Sequence, residues 1–407
     1  MRVAIATRIF DPEPSAASFR LAALAQACAR RGADVTVYTV TSAPQWRHMP
    51  SRFDEESDRR VAVRRWPVLR DRSGYVRGYV QYLSFDVPVF FRLLFGPRHD
   101  VIVVEPPPTT GFFVRLAARI RRVPYVYYAA DVWSDATQQT GAPRWVVRAV
   151  RTIERFALRG AAAVLSVSAG VTERLAELGV NDTVTTVGNG VDVAMFRKAL
   201  AEPAGGTSEA APTFLYAGTA SEWQGASIFV EALPAVLAER ADARLCFIGG
   251  GSDREAIKRR ARELGIEAAV DFEGVIPPAE LAPRLRSATA AVVSVKPGEG
   301  YDFAFPTKVF SAAACGTPVI YVGLGPAADF VRREIDGEPL GQAIAFDVDQ
   351  VATAMLERLA DPVSDERRVR TADWAAGVVG IDAVAAKAAA VLADVQAAAG
   401  RTNGATG

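Results

Sequence analysis

Histidine is almost missing from this 407-residue chain, where His48 and His99 are the only two. Imidazole-based metal centres and Ser-His-Asp catalysis therefore lose their usual ligands and bases. Cysteine is nearly as scarce. Cys28, Cys246 and Cys315 stand far apart with no CxxC pair, which leaves neither a disulfide framework nor a zinc ribbon. No uninterrupted apolar run reaches the length of a membrane span, and the opening MRVAIATRIF lacks the apolar core of a signal peptide. These absences point to a reducing cytoplasm. A net charge of +1 excludes a strongly basic nucleic-acid binder, and 50% apolar residues exclude a disordered or collagen-like chain.

The near-neutral total conceals a split. Residues 1–192 hold 26 Arg, no Lys and 18 acids; the remainder holds 16 Arg, five Lys and 28 acids. A basic half beside an acidic half is expected when one domain faces an anionic surface or acceptor and the other does not. An arginine-biased composition explains Arg over Lys but not where the acids went.

The length exceeds one core and suits two domains. In the first half, apolar β-branched runs at Val3–Ala6, Val35–Thr39, Val101–Val104, Tyr125–Ala129, Ala163–Val167 and Val184–Val187 alternate with helical segments. After a Gly-, Ala- and Pro-rich stretch, the alternation restarts at Phe214–Tyr216 and continues through Pro318–Tyr321. This predicts an α/β chain of two Rossmann-like, doubly wound parallel-sheet domains with an interdomain cleft as the default site. The expected boundaries are a first domain over 1–192, a linker over 193–212, a second domain over 213–375, a helix over 376–398 that can pack back on the first domain, and a flexible tail over 399–407.

Two motifs carry chemistry. Gly249-Gly-Gly-Ser252 follows a strand and opens a helix, so the Gly250 and Gly251 amides can approach a phosphate; glycine used only for turn geometry is the plain alternative. The first βα loop, Thr7 to Ser18, has no G-x-G-x-x-G, which argues against a dinucleotide there. Phe305-Pro-Thr-Lys-Val-Phe-Ser311 runs to Cys315-Gly-Thr-Pro-Val319, with Thr307 a candidate cap and Lys308 aimed at the strand ends. Just before it, Lys296-Pro-Gly-Glu299-Gly-Tyr-Asp302 adds a cation and two carboxylates. Two of five lysines within a dozen residues form a notable concentration, although charges on surface loops would look similar.

At these residues the chain resembles family 4 of the retaining nucleotide-sugar glycosyltransferases, a GT-B fold family. The resemblance rests on Tyr216-Ala-Gly-Thr219, Gln224-Gly225, Phe247-Ile-Gly-Gly-Gly251, Val270-Asp-Phe-Glu-Gly-Val275, Cys315-Gly-Thr-Pro-Val319 and Val187-Gly-Asn-Gly-Val-Asp192. Residues 101–135, with Pro106-Pro-Pro108 and Asp131-Val-Trp133, look like the branch acting on lipid-linked cell-envelope sugars. Nearly the whole chain is covered, and the order and spacing of the motifs are more specific than any one of them. The departures are specific too. Ser311 stands where the family's second donor-loop Glu usually holds ribose, Thr219 and Gln224 where it has diphosphate-binding Arg and Lys, and Ala130 where many members have His.

The resemblance implies transfer of a sugar from a UDP- or GDP-sugar to an acceptor hydroxyl, with acceptor binding in the first domain and donor binding in the second. Lys308, Lys296 and Thr307 would meet the diphosphate, with Thr219, Gln224, Gly250 and Gly251 around it. Glu299, then Asp302, would contact sugar hydroxyls, Val275 would line the base pocket and Ser311 would lie near the ribose. Asp131 is the candidate to orient or deprotonate the acceptor hydroxyl, with an Asx turn as the competing role. No metal and no cofactor beyond the nucleotide sugar are expected. The basic, aromatic stretch 64–98 reads as an interfacial helix pair touching anionic lipid, interrupted at Pro88, or as an ordinary core helix. His99 reads as a surface or strand-start residue. A non-catalytic relative and a nucleotide-sugar epimerase remain as rival readings.

Overall fold

The computed structural model describes residues 1–404 apart from 14, 50, 54–59, 72–75, 77, 140–141, 194–195, 197–210 and 299–304. The chain forms two compact units, Met1–Asn189 with Ile381–Gly407, and Gly190–Gly380. Most of the expected linker, with Glu299 and Asp302 and with Arg72 and Arg77 of the basic stretch, lies outside the described residues.

In the first unit, β1 (Arg2–Ala6), β2 (Asp34–Val40), β3 (Val61–Trp66), β4 (Val101–Val104), β5 (Tyr125–Ala129), β6 (Ala163–Ser166) and β7 (Val184–Thr186) form one parallel sheet. Its order is β3-β2-β1-β4-β5-β6-β7. Alternate residues of β1 feed opposite cores. Val3 and Ile5 join one cluster, Ala4 and Ala6 the other. Both faces are therefore dry, as apolar strands between helices require. The covering helices are α1 (Ala16–Arg30), α2 (Tyr79–Phe95), α3 (Pro108–Arg121), α4 (Trp133–Gln139), α5 (Arg144–Arg159) and α6 (Ala169–Glu177). Ser15 caps α1 by accepting from the Ser18 amide at 3.0 Å.

The second unit repeats the plan with β8 (Thr213–Ala217), β9 (Arg244–Ile248), β10 (Val270–Glu273), β11 (Ala290–Ser294), β12 (Val319–Val322), a short hairpin of β13 (Glu334–Ile335) and β14 (Glu338–Pro339), and β15 (Gly341–Ile344). Sheet order is β10-β9-β8-β11-β12-β15. Its helices are α7 (Ser227–Glu239), α8 (Arg254–Glu263), α9 (Pro278–Ser287), α10 (Lys308–Ala314), α11 (Pro326–Val331), α12 (Val348–Ala360) and α13 (Asp365–Val379). The last helix, α14 (Ile381–Gly404), returns to the first unit. There Val384, Ala388 and Leu392 enter the α1 core, and Arg30 pairs with Asp382 at 2.9 Å.

The structure corrects several expectations. The domain break falls at Asn189/Gly190, and the return at Gly380/Ile381. The segment expected as one terminal helix is divided between α13 and α14, and the expected tail is helical as far as Gly404. α14 has the length and apolar composition of a membrane span. Its alanines satisfy that test while one face is packed in the core. Instead of a helix pair, residues 64–98 supply strand β3 and helix α2, and α2 runs through Pro88. His99 is buried, with Nε2 3.2 Å from the Tyr38 hydroxyl. Desolvation, with the nearby Arg2 cation, lowers its pKa.

Gly316 ends α10 with φ +68°, and a Cβ there would collide with the Arg368 backbone carbonyl. Gly316→Ala should cost at least about 2 kcal/mol, from left-handed strain together with that collision. Chemical denaturation should read this as a lower midpoint, and an unchanged midpoint would refute it.

Candidate functional site

In each sheet the strand order reverses beside its first strand, between β1 and β4 and between β8 and β11. Helices leaving these neighbours depart to opposite faces, so the carboxyl ends of the strands stay uncovered, and ligands enter there in open α/β sheets.

In the second unit, the loops after β8 and β9 are laced together. The Gly218 amide donates to the Ile248 carbonyl at 2.7 Å and the Ala220 amide to Gly250 at 2.8 Å. Gly249 and Gly251 have φ +134°, and side chains there would strike the Gly218 and Ala220 carbonyls. These two glycines therefore have a geometric role. Gly250 faces open space, and neither its amide nor that of Gly251 donates to another described residue.

Lys308 opens α10, which follows β11. Its Nζ donates to the Tyr216 hydroxyl at 2.6 Å and the Thr219 carbonyl at 3.1 Å, 3.8 Å from the Tyr216 ring centroid. Among the described residues no carboxylate compensates for the lost water, and burial pushes the ammonium pKa down to about 7. The single Tyr216 hydroxyl proton faces two acceptors, the Thr219 carbonyl and the Gln224 Oε1, each at 3.1 Å. Gln224 is buried, and its Oε1 also accepts from the Ser221 amide, so this carbonyl braces the loop. Thr219 meets Lys308 through its backbone oxygen.

Lys296 lies two residues beyond β11, exposed, with its backbone amide on the Trp223 carbonyl at 3.0 Å and its charge acting on Asp253. The structure thus gathers Lys296, Lys308, Thr219, Gln224, Gly250 and Gly251 on neighbouring loops. Thr307 precedes α10 with helical dihedrals and makes no side-chain cap, contrary to the expected capping role. Ser311 is half-buried one turn along α10, and Val275 is 85% exposed beyond β10. Arg254 was not anticipated. Its guanidinium donates to the Gly249 and Glu273 carbonyls beside the Phe272 ring.

The matching edge of the first unit holds a pocket of 310 Å³ lined by Arg8, Arg20, Glu105, Asp131, Trp133 and neighbouring residues. Arg20 and Glu105 form a buried ion pair across it. Glu154 accepts the first amides of α4, Trp133 at 2.7 Å and Ser134 at 3.0 Å. That cap leaves Asp131 without a hydrogen bond among the described residues, so an Asx turn does not account for it. Desolvation raises its pKa against the pull of Arg20, and Glu105 adds to the rise. Arg8, Arg20 and Glu105 escaped sequence reading because isolated charges beside strands have no signature; Glu105, directly after buried β4, was the nearest to one. Among the described residues no cluster of three His, Cys, Asp or Glu could hold a metal.

Residues 16–190 match the family described as glycosyl transferase 4-like domain, and residues 211–361 match glycosyl transferases group 1. Over 141 residues the chain is 32% identical to the GDP-mannose-dependent alpha-(1-6)-phosphatidylinositol monomannoside mannosyltransferase of Mycolicibacterium smegmatis. That stretch spans 34% of this chain and 36% of the relative. A longer match, 24% identical over 329 residues, covers 74% of this chain and 82% of the monoacylated-substrate counterpart from Corynebacterium glutamicum. Sucrose-phosphate synthase from Thermosynechococcus elongatus shares the fold, with TM-score 0.69 and 18% identity over 98% of this chain and 99% of that one.

Lys308 makes a pH-dependent demand on stability. An ordinary lysine titrates near 10.5, and burial in the folded chain brings Lys308 down to about 7. Between those values the unfolded chain binds more protons, so stability rises with pH across the window and the burial penalty is complete below it. Lys308→Met is therefore expected to be more stable than wild type by about 2 kcal/mol at pH 6, after loss of its hydrogen bonds. The advantage should shrink by pH 9.5. Denaturation curves at both pH values test this, and a variant weaker than wild type at pH 6 would contradict it.

Proposed function

From its membership of family 4 of the nucleotide-sugar glycosyltransferases, with their GT-B fold, we propose that this chain is a retaining transferase. It moves a sugar from a UDP- or GDP-sugar to the hydroxyl of a lipid-linked or polysaccharide precursor of the cell envelope. The single observation that carries the reading is the desolvated Lys308 ammonium at the strand-order reversal, beside the unspent Gly250 and Gly251 amides.

The leaving diphosphate gains negative charge as the glycosidic bond breaks, while the sugar gains oxocarbenium character. Fixed donors aimed at that charge, in a site with little water, lower the barrier without reorganising. Lys308 is suited to this role because an arriving phosphate restores the counter-charge that burial removed. Lys296 and the glycine amides would share the diphosphate, and the reaction as drawn uses no metal. Glu299 and Asp302 remain assigned to sugar hydroxyls, Val275 to the base and Ser311 to the ribose side.

Acceptor binding is assigned to the Asp131 pocket. A carboxylate with a raised pKa and no competing hydrogen bond is a serviceable proton acceptor for an alcohol, with Arg20 and Glu105 keeping the pocket polar. The exposed arginines and rings of 64–98 support peripheral contact with the inner membrane face, from the cytoplasmic side.

Nucleoside diphosphate should raise the melting point of wild type, with either UDP or GDP the stronger ligand. Affinity should fall up to tenfold per pH unit above about 7 as Lys308 deprotonates. Lys308→Met should bind roughly 10- to 100-fold more weakly and lose that pH dependence. A panel of UDP, GDP, TDP and ADP that leaves the melting point unmoved would favour a non-catalytic relative.

Asp131→Asn should keep nucleotide binding while lowering transfer about 10²- to 10⁴-fold, and EDTA should leave turnover unchanged. Radiolabelled sugar incorporation measures both. Full activity of Asp131→Asn would remove that residue from the mechanism.

A further inference from the structure

Beside the Asp131 pocket, the first unit carries a second cavity, of 720 Å³, formed by the start of α2, by α4 and by the first half of α5. Tyr79, Tyr82, Trp133 and Trp145 line it with Val146 and Ile153, and none of its lining residues is charged. The volume is that of a ligand site, which runs to roughly 300–1,000 Å³.

The helix that gives Tyr79 and Tyr82 to the groove also exposes apolar side chains. On α2, Tyr79, Leu83, Val87, Phe91 and Phe95 recur every fourth residue and are all exposed, Phe95 by 77%. Each step of four turns about 40° around the helix, so successive members adjoin and the stripe winds away from Tyr79 toward Phe95. Across the groove, α5 begins with Arg144, Trp145 and Arg148, all exposed, with Trp145 at 72%. A carbon-lined slot edged by cations and an exposed tryptophan complements a molecule with a hydrocarbon chain and an anionic end.

The groove and the Asp131 pocket share a wall. Trp133 lines both cavities. The buried Arg8 guanidinium lies 4.1 Å from the Tyr82 ring centroid and 6.0 Å from that of Trp133, and Arg8 itself lines the Asp131 pocket.

We infer that this groove holds one hydrocarbon chain of the acceptor lipid, with the polar head and its reactive hydroxyl entering the Asp131 pocket. The inference rests on the reading above, in which the sugar passes to a lipid-linked hydroxyl, and it gives that acceptor a length preference. The groove would thereby select chain-bearing acceptors over water-soluble ones with the same head.

Hexyl, octyl and decyl phosphate, kept below micellar concentration, are suitable probes for calorimetry on the full chain. Dissociation constants should fall with length, by up to about fourfold per added methylene when each is fully buried. Ala149→Trp, at an exposed α5 position on the groove wall, should flatten the series; Ala136→Trp on α4 repeats the test from the other side. Arg144→Glu should weaken every member equally while preserving the slope.

Wild-type constants independent of length would overturn the inference, as would a slope that survives both tryptophan variants. Concentration-dependent self-association abolished by those variants, with no length series, would give the face to a second copy of the chain and also overturn it. UDP and GDP melting shifts are measured in parallel. If nucleotides fail to bind while the length series persists, the lipid groove is supported and the transferase reading alone falls.

Discussion

A parallel sheet whose order reverses beside its first strand cannot be closed at the carboxyl ends of its strands, because crossovers from the two neighbours leave to opposite faces. Both units obey this constraint, and Lys308, Thr219, Gly250, Gly251 and Asp131 lie on loops at such an edge or at the start of the helix that follows it. Packing can bury the strands completely on both faces and still leave main-chain polar groups uncovered where order reverses. The two units solve that exposure differently. The first fills its edge with a buried ion pair, Arg20 with Glu105, and an unpartnered carboxylate at Asp131. The second uses glycine-rich backbone and the lysine at the start of α10.

These arrangements are costly to the folded state. An ammonium on a hydroxyl and a carbonyl, with no carboxylate beside it among the described residues, is only partly compensated for its lost water. A buried arginine–glutamate pair contributes little net stability, since desolvation consumes most of its attraction. Desolvated charge of this kind clusters at functional sites. The scaffold around them is, by contrast, locally consistent. Alternating core residues on β1 and β8 supply both faces of each sheet, and α14 completes the α1 side of the first unit.

Much of the architecture was legible because periodicity and turn chemistry are local. The strands Val3–Ala6, Val101–Val104 and Tyr125–Ala129 read directly as buried apolar runs, as did the glycine turn after β9. β3 was missed because arginines interrupt its pattern at the sheet edge, where one row of side chains meets solvent. β15 has Gly and Gln within four residues, and α13 is polar enough to resemble a loop. The burial of His99 just before β4 was missed because its hydroxyl partner, Tyr38, lies 61 residues away. Of the candidate site, Lys308, Lys296 and Gly250 were visible through motif spacing, whereas Arg8, Arg20 and Glu105 were not.

Taken alone, the order of apolar runs and glycine turns determined two α/β units, their near-boundaries and which loops would hold charge, since those properties depend on neighbours a few residues apart. Tertiary structure decided the protonation balance and partners of that charge. It withdrew Gln224 into a brace, cleared Asp131 by letting Glu154 cap α4, and stripped water from Lys308 by laying it over Tyr216. Desolvation depends on atoms brought close from distant parts of the chain, and no window of sequence contains them.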